Sequence, residues 1–191
     1  MFQFPREFVL FDLEYTAFED SKLHKWSRPG EHREIIQIGA IRATSPDLNE
    51  QDSFLEYVRP AINPQLSDFI VGLTGITQID IDSKGIPYPN AYRKFKTFVG
   101  MIPAFCWGDD ADVFAENNEL ADEPEELPNG QFQNLRPILA PEFAAIGIDI
   151  STSSSGTLIQ EFGTADARRA HDALNDMRNL LDAIRLLRRR R

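Results

Sequence analysis

The sequence predicts an α/β fold in which a mixed five-stranded sheet is flanked by helices. Three strand-like segments come first, at residues 8–16, 34–42 and 52–59, with no helical pattern between them. That order is typical of an antiparallel meander at one edge of a sheet. Shorter strands and helices then alternate, which favours parallel strands joined by helical crossovers.

The first strand is the most apolar, with Phe-Val-Leu-Phe at residues 8–11. A run this dense indicates a strand that is buried on both faces. Pro46, Asp47 and Asn49 separate the second and third strands, and all three residue types favour turns.

The rest of the chain supplies the remaining strands and the helices. Thr77 offers an N-cap for a short helix, and an apolar face at helical spacing runs from Tyr92 to Val99. Further helices are predicted at 66–71 (closed by Gly72), 112–120, 141–146, 157–162 and 170–188, and further strands at 103–107 and 132–135. Long connections are predicted at 17–33, at 119–129 (acidic and exposed) and at the Ser/Thr-rich segment 151–156.

The 191 residues fit one domain, which we place at 1–187, followed by a basic C-terminal tail at 188–191. The single cysteine, Cys106, excludes an internal disulfide and suits a reducing compartment. Charges interrupt the N-terminal apolar run, which therefore does not read as a secretory signal, and no apolar stretch reaches membrane-spanning length. We therefore expect a cytoplasmic protein with no membrane partner.

The net charge of −10 is unevenly distributed. Residues 168–191 hold eight arginines and three acids, a sum of +5, so the remainder carries −15. An acidic excess argues against a general polyanion binder, because neutralising a nucleic-acid backbone needs Lys and Arg. It does not exclude an enzyme that binds a few phosphates through metal ions. The terminal arginines either contact nucleic acid or form a solubilising helix end.

Asp12 and Glu14 end the first strand at i, i+2 spacing, which places both side chains on one face. Two neighbouring buried carboxylates are costly unless a cation holds them, and no Lys or Arg lies within the strand. A divalent metal ion bound to both carboxylates would supply this positive charge. The alternative is that both residues mark the exit of the strand into solvent.

Two other acidic sites follow. Asp109, Asp110 and Asp112 come after the apolar strand at 103–107, where α/β sheets commonly build their sites. Capping of the following helix explains one or two of these three aspartates, but it leaves at least one without a structural role. On the last helix, His171 precedes Asp176 by five residues; a polar helix surface would explain the same pair.

The three sites together resemble the DEDDh branch of the 3′–5′ exonucleases, the superfamily of RNase T and of polymerase proofreading subunits. The resemblance covers nearly the whole chain. The motifs that carry it are Asp12-x-Glu14, an Asp after a Trp-Gly strand end, His171-x4-Asp176, and the supporting stretches 34–40 and 73–77. The sequence His-Asp-Ala-Leu-Asn-Asp at 171–176 is the most specific of these motifs, because helix packing alone does not require it.

The resemblance implies a ribonuclease-H-like fold and hydrolysis of 3′-terminal phosphodiesters with two Mg²⁺ or Mn²⁺ ions, which in such sites lie about 3.5–4 Å apart. By the same resemblance Asp12 bridges both ions, Glu14 and Asp176 bind the ion that activates water, and Asp110 holds the second. A neutral His171 accepts the proton of the attacking water.

Asp110 is chosen over its neighbours because Val113, Phe114 and the Glu116-Asn117 pair then fall where related sequences place theirs after a Gly-x-Asp turn. Asp112 is the alternative, and Asp109 is expected to cap the helix.

The resemblance also places the backbone around Leu13 and Thr16 beside the terminal nucleotide, with Leu73 and Ile76 wedging bases. The two apolar residues would serve equally well as core. Phe18 and Trp26 are candidates for stacking on bases or for packing against helices.

Two other functions compete with this interpretation. A haloacid-dehalogenase-type phosphatase has an Asp-x-Asp-x-Thr signature that residues 12–16 approach, but Glu14 stands in place of its second Asp and His171 would have no role. The other alternative is a non-catalytic exonuclease-like module. The presence of every expected site residue argues against it. We expect single-stranded 3′ ends as substrate, leave RNA or DNA open, and allow a homodimer through the later helices.

Overall fold

A six-stranded mixed sheet forms the centre of the computed structural model, which describes residues 2–122, 130–164 and 168–190. The strand order is β4-β3-β2-β1-β5-β6. The strands are β1 (Glu7–Tyr15), β2 (Ile35–Thr44), β3 (Asn49–Arg59), β4 (Ile86–Pro87), β5 (Ala104–Cys106) and β6 (Phe132–Asn134). The first three form an antiparallel meander, and β1–β5, β5–β6 and β3–β4 pair in parallel. The predicted fold is therefore confirmed, with the two-residue β4 added because so short a strand leaves no periodic pattern.

Seven α-helices and a 3₁₀ helix lie within the described ranges. The α-helices are α1 (Ser21–His24), α2 (Asp68–Thr74), α3 (Gln78–Lys84), α4 (Tyr88–Val99), α5 (Asp110–Leu120), α6 (Leu135–Ala144) and α7 (Ala173–Arg189). The 3₁₀ helix is Leu158–Phe162, where the sequence predicted an α-helix. No helix in the described residues is both long enough and apolar enough to cross a membrane.

Several boundaries differ from those predicted. Helix α2 runs through Gly72 and ends at Thr74, with Gly75 as its C-cap in a left-handed conformation (φ 74°). Helix α6 begins at Leu135, directly after β6, so the helix predicted at 141–146 is longer and starts earlier. Helix α1 forms inside the predicted loop at 17–33.

Two predicted regions extend beyond the described residues. Most of the acidic connection predicted at 119–129 lies outside them, and so does Arg191 at the end of the predicted basic tail. Within the tail, Arg188 and Arg189 belong to α7.

Strand β1 is buried on both faces, as its apolar run predicts. Phe8 and Leu10 face the layer that contains α6, the 3₁₀ helix and α7. Val9 and Phe11 face the layer that contains α4 and α5. Because side chains alternate along a strand, residues 12 and 14 continue the face that α7 covers. This alternation brings the end of β1 against the start of α7.

The start of α7 also lies directly on β2. A Cβ atom at Gly39 would come within 2.3 Å of the Leu174 nitrogen and 2.4 Å of the Ala173 carbonyl carbon, so only glycine admits this approach. The Ala173 N–H donates to Gln37 Oε1 at 3.0 Å. Since Gly39 pairs with Asp12 across β1 and β2, the same contact sets the first turn of α7 beside the carboxylates of β1.

Candidate active site

The five residues predicted to be catalytic line one cavity of about 800 Å³. Asp12 and Glu14 come from β1, and Asp110 is the first residue of α5. His171 lies just before α7, and Asp176 is in its first turn. The fold therefore brings together residues that are up to 164 positions apart in the chain (176 − 12).

All four carboxylates are buried, with exposed fractions of 8% for Asp12, 7% for Glu14, 8% for Asp110 and 3% for Asp176. The alternative that Asp12 and Glu14 only mark an exit into solvent does not fit this burial.

Of the three acids near β5, Asp110 alone lines the cavity, whereas Asp109 and Asp112 are exposed. Asp109 occupies the N-cap position of α5, but its side chain makes no capping hydrogen bond. The expected side-chain cap is therefore absent from the described structure.

Burial and nearby negative charges raise the pKa of each of these carboxyls. The pKa of Asp110 rises to about 7, first through burial and then through the charge of Asp109, against hydrogen bonds that lower it. The pKa of Asp176 also rises to about 7, through burial and then through Asp172. The pKa values of Asp12 and Glu14 lie well above their ordinary range through burial and the other site carboxylates. A bound cation would relieve this repulsion.

The donor set fits a divalent metal. Glu14, His171 and Asp176 each offer a ligand atom, and these atoms lie within 4.8 Å of one another. Asp176 Oδ1 is buried and has no hydrogen-bond partner in the described residues, as expected of an atom oriented for an ion. A Cβ at Gly156 would lie 2.2 Å from the same oxygen, so this glycine leaves room for the carboxylate. Carboxylate oxygens are the preferred ligands of Mg²⁺ and Mn²⁺.

His171 has a left-handed backbone, with φ of 63°, which is uncommon for a non-glycine residue and is often found at functional sites. The backbone N–H of His171 donates to Asp176 Oδ2 at 3.2 Å. Burial, followed by the positive charges of Lys22 and Arg169, lowers the pKa of the imidazole. A neutral imidazole can accept a proton near neutral pH.

The Ser-rich loop at 151–156 contributes to the site, which the sequence did not predict. Ser155 Oγ donates to Asp12 Oδ1 at 3.2 Å, and Ser154 also lines the cavity. The loop is held in place because the Trp107 indole N–H donates to the Ser153 carbonyl at 3.0 Å. Within the loop, Ser154 Oγ accepts from the Thr157 N–H at 3.2 Å, just before the 3₁₀ helix. A run of serines carries no signal for a contact 143 residues away.

The predicted substrate-binding residues lie in two environments. Leu13 and Leu73 line the cavity. Thr16 is buried and does not line the cavity, and its hydroxyl donates to the His32 carbonyl at 2.7 Å. Ile76 is buried in a small core cluster. Of the two aromatic candidates, Trp26 lines the cavity and its indole N–H donates to the Thr16 carbonyl.

The raised carboxyl pKa values predict how the stability of the metal-free protein depends on pH. A pKa near 7 in the folded state, against an ordinary 3.8, means that Asp110 and Asp176 bind protons more tightly folded than unfolded. Their stabilising contribution is complete below the unfolded value and is lost as pH rises through about 7. In chelator, thermal unfolding should therefore occur at a higher temperature at about pH 5.5 than at about pH 8. Asp176→Asn should shrink this difference, and an unchanged difference would contradict the assignment.

Comparisons with known proteins agree with this geometry. The RNase T exonuclease family model matches residues 9–122. The chain is 41% identical over 61 residues to 3′-5′ exoribonuclease 1 of Rattus norvegicus and 30% identical over 100 residues to ERI1 exoribonuclease 2 of Xenopus laevis. These matches cover 32% and 52% of this chain, but only 17% and 13% of the relatives' own lengths.

Solved structures share the fold. The nuclease domain of 3′hExo, described as a DEDDh family member bound to rAMP, superposes with a TM-score of 0.77 at 22% identity, over 96% of this chain and 92% of that one. The cell-death related nuclease 4 superposes with a TM-score of 0.78 at 21% identity, over 96% and 64%.

The phosphatase alternative is therefore wrong, since neither the sheet nor the matched family is that of the haloacid dehalogenases. Because the family model spans more than half of the sequence, the chain belongs to the RNase T exonuclease family.

Proposed function

We propose that the chain is a divalent-metal-dependent 3′–5′ exonuclease that releases nucleoside 5′-monophosphates from single-stranded 3′ ends. The observation that carries this proposal is the convergence of four buried carboxylates and one histidine on a single cavity. The relatives named as exoribonucleases favour RNA as the polymer.

Two Mg²⁺ or Mn²⁺ ions would be held by the four carboxylates. Asp12, Glu14, Asp110 and Asp176 would be their ligands, since all four line the cavity. Ions in such a pair stabilise the attacking and leaving oxygens of an in-line displacement. Ser155 fixes the orientation of Asp12 through its hydrogen bond, which leaves the other carboxylate oxygen of Asp12 free of this contact.

His171 would act as the general base. It takes a proton from the attacking water, whose oxygen forms the new bond to phosphorus. The bond from phosphorus to the 3′ oxygen of the preceding nucleotide breaks, and that oxygen gains a proton from solvent. The products are a nucleoside 5′-monophosphate and a strand shortened by one residue with a new 3′ hydroxyl.

The cavity has an apolar wall that suits a base. Leu23, Phe69 and Leu73 line it, and all three are large hydrophobic side chains with substantial exposure, which reaches 75% for Leu23. Exposed apolar groups beside a polar centre are typical of ligand sites. A terminal nucleotide can therefore pack its base on this wall while its phosphate lies at the carboxylates.

The proposal is tested by digesting matched RNA and DNA oligonucleotides with Mg²⁺, with Mn²⁺ and with chelator. We expect digestion that requires metal and is faster on RNA. Small phosphomonoesters should stay intact. Digestion that persists in chelator, or in Asp12→Ala, would contradict a metal-dependent active site on this chain.

Removing the base should slow turnover strongly. General base catalysis contributes about 10²–10⁴ in rate, so His171→Gln should lower kcat by at least about 100-fold. His24→Gln is the matched control, because His24 is exposed on α1 and does not line the cavity. Equal kcat values for both variants would remove His171 from the mechanism.

Cytoplasmic location, a homodimer and the division at residues 187 and 188 stay predictions. Sedimentation of the purified chain over a concentration series tests the dimer, which requires a mass near twice 21.7 kDa.

A further inference from the structure

One cationic side chain stands out at the cavity. Lys22 is the only Lys or Arg among the described residues that line it. Six carboxylates line the same cavity: Asp12, Glu14, Glu19, Asp20, Asp110 and Asp176. We propose that Lys22 is a substrate-binding residue whose ammonium group holds the phosphodiester that is cleaved.

The position of Lys22 supports this role. Lys22 and His171 line the same cavity of about 800 Å³. Lys22 therefore lies near the group that we propose activates the attacking water. The phosphate under attack must lie beside that water. An ammonium at this place faces the anionic group of the substrate.

The segment that carries Lys22 is held firmly in place. Ser21 is buried, and its hydroxyl accepts from the Phe18 N–H at 2.8 Å and donates to Glu31 Oε2 at 3.1 Å. Asp20 and Lys25, on either side of α1, have left-handed backbones with φ of 66° and 52°. Strained residues of this kind persist only where surrounding contacts fix them, and they concentrate at ligand sites.

The Lys22 side chain itself is not committed to another group. It is exposed, and in the described part of the chain no ion pair or side-chain hydrogen bond engages its ammonium. By contrast, Lys84 and Lys94 pair with Asp80 and Glu56. A free ammonium can bind an anion, and because the backbone is already fixed, only the Lys22 side chain has to be ordered on binding.

The competing explanation is that Lys22 only balances the charges of Glu19 and Asp20, which line the same cavity. Lys25 provides the control for this effect. It lies three residues away in the same segment. Both lysines line the neighbouring cavity, but only Lys22 also lines the catalytic one. Lys22→Gln and Lys25→Gln therefore change the net charge equally and differ only in access to the site.

The inference rests on the proposed exonuclease function, and two substrates separate the two claims. One is a single-stranded oligonucleotide. The other is the p-nitrophenyl ester of a nucleoside 5′-monophosphate, which contains a single phosphodiester. Lys22→Gln removes the proposed charged hydrogen bond to the phosphodiester. Because such bonds are stronger than neutral ones, kcat/KM should fall by about 10- to 100-fold on both substrates. Lys22→Arg should recover most of it, Lys25→Gln should stay within about threefold, and thermal unfolding should not change.

Three results would overturn the inference: a loss on the oligonucleotide alone, which would place Lys22 at an upstream phosphate; equal losses in Lys22→Gln and Lys25→Gln; or no loss at all. If the unmodified protein hydrolyses neither substrate, the proposed function fails, and the role of Lys22 fails with it.

Discussion

Asp110→Asn is expected to lower kcat/KM by about 1,000-fold, while Asp112→Asn changes it by less than about threefold. Loss of one electrostatic contact to a transition state already costs about 10²–10³, and a metal ligand contributes at least as much. Asp110 is buried and lines the cavity, whereas Asp112, in the same first turn of α5, is exposed. Steady-state digestion of a labelled oligonucleotide at saturating Mg²⁺ measures both values.

The same substitution should stabilise the protein when metal is absent. Burial and the neighbouring negative charge raise the pKa of Asp110 to about 7, so its ionised form is disfavoured in the folded state. Asn removes that charge at nearly constant volume. In chelator at about pH 8, Asp110→Asn should therefore unfold at a higher temperature than the unmodified protein. An Asp110→Asn variant with near-full activity would instead move the metal site to Asp112.

Gly39→Ala is expected to reduce both stability and activity strongly. The added Cβ would lie 2.3 Å from the Leu174 nitrogen, and backbone atoms cannot rotate away as a side chain can. The start of α7 must therefore move off β2 and carry His171 and Asp176 with it. Overpacking of this kind typically costs about 1–3 kcal/mol. A displacement of about 1 Å at a catalytic group can cost about 100-fold in rate.

Gly72→Ala is the matched control. Gly72 is exposed within α2, and an added Cβ there meets no atom within 4 Å. Since alanine is favoured over glycine in helices by about 1 kcal/mol, this variant should be equally or more stable and fully active. Denaturant unfolding and oligonucleotide digestion compare the two variants. If Gly39→Ala behaves like Gly72→Ala, close contact between β2 and α7 does not position the site.

Local sequence pattern was enough to predict the parts of the site that short-range periodicity determines. Alternation along β1 places Asp12 and Glu14 on one face. The last helix was predicted from 170, but α7 begins at Ala173, so His171 precedes the helix instead of lying on it. Local sequence pattern could not decide between Asp110 and Asp112, because that choice depends on the residue at which α5 begins. The predicted helix started at 112, whereas α5 starts at Asp110, which turns that side chain into the cavity.

Contacts between distant segments could not be predicted in this way. Ser155 reaches Asp12, and Gly156 makes room for Asp176, but nothing near either residue indicates its partner. The same holds for Thr16. The resemblance placed its backbone beside the substrate, while its hydroxyl holds the ends of the 17–33 segment by bonding to His32 and Glu34.

Polarity of digestion tests the central claim most directly. A single-stranded RNA labelled at its 5′ end is incubated with the protein and Mg²⁺, and the products are resolved over time. A 3′–5′ exonuclease yields a ladder of labelled products that shorten by one nucleotide at each step, and Asp12→Asn leaves the strand intact. Immediate release of the label as a mononucleotide, or cleavage at internal positions first, would contradict the account.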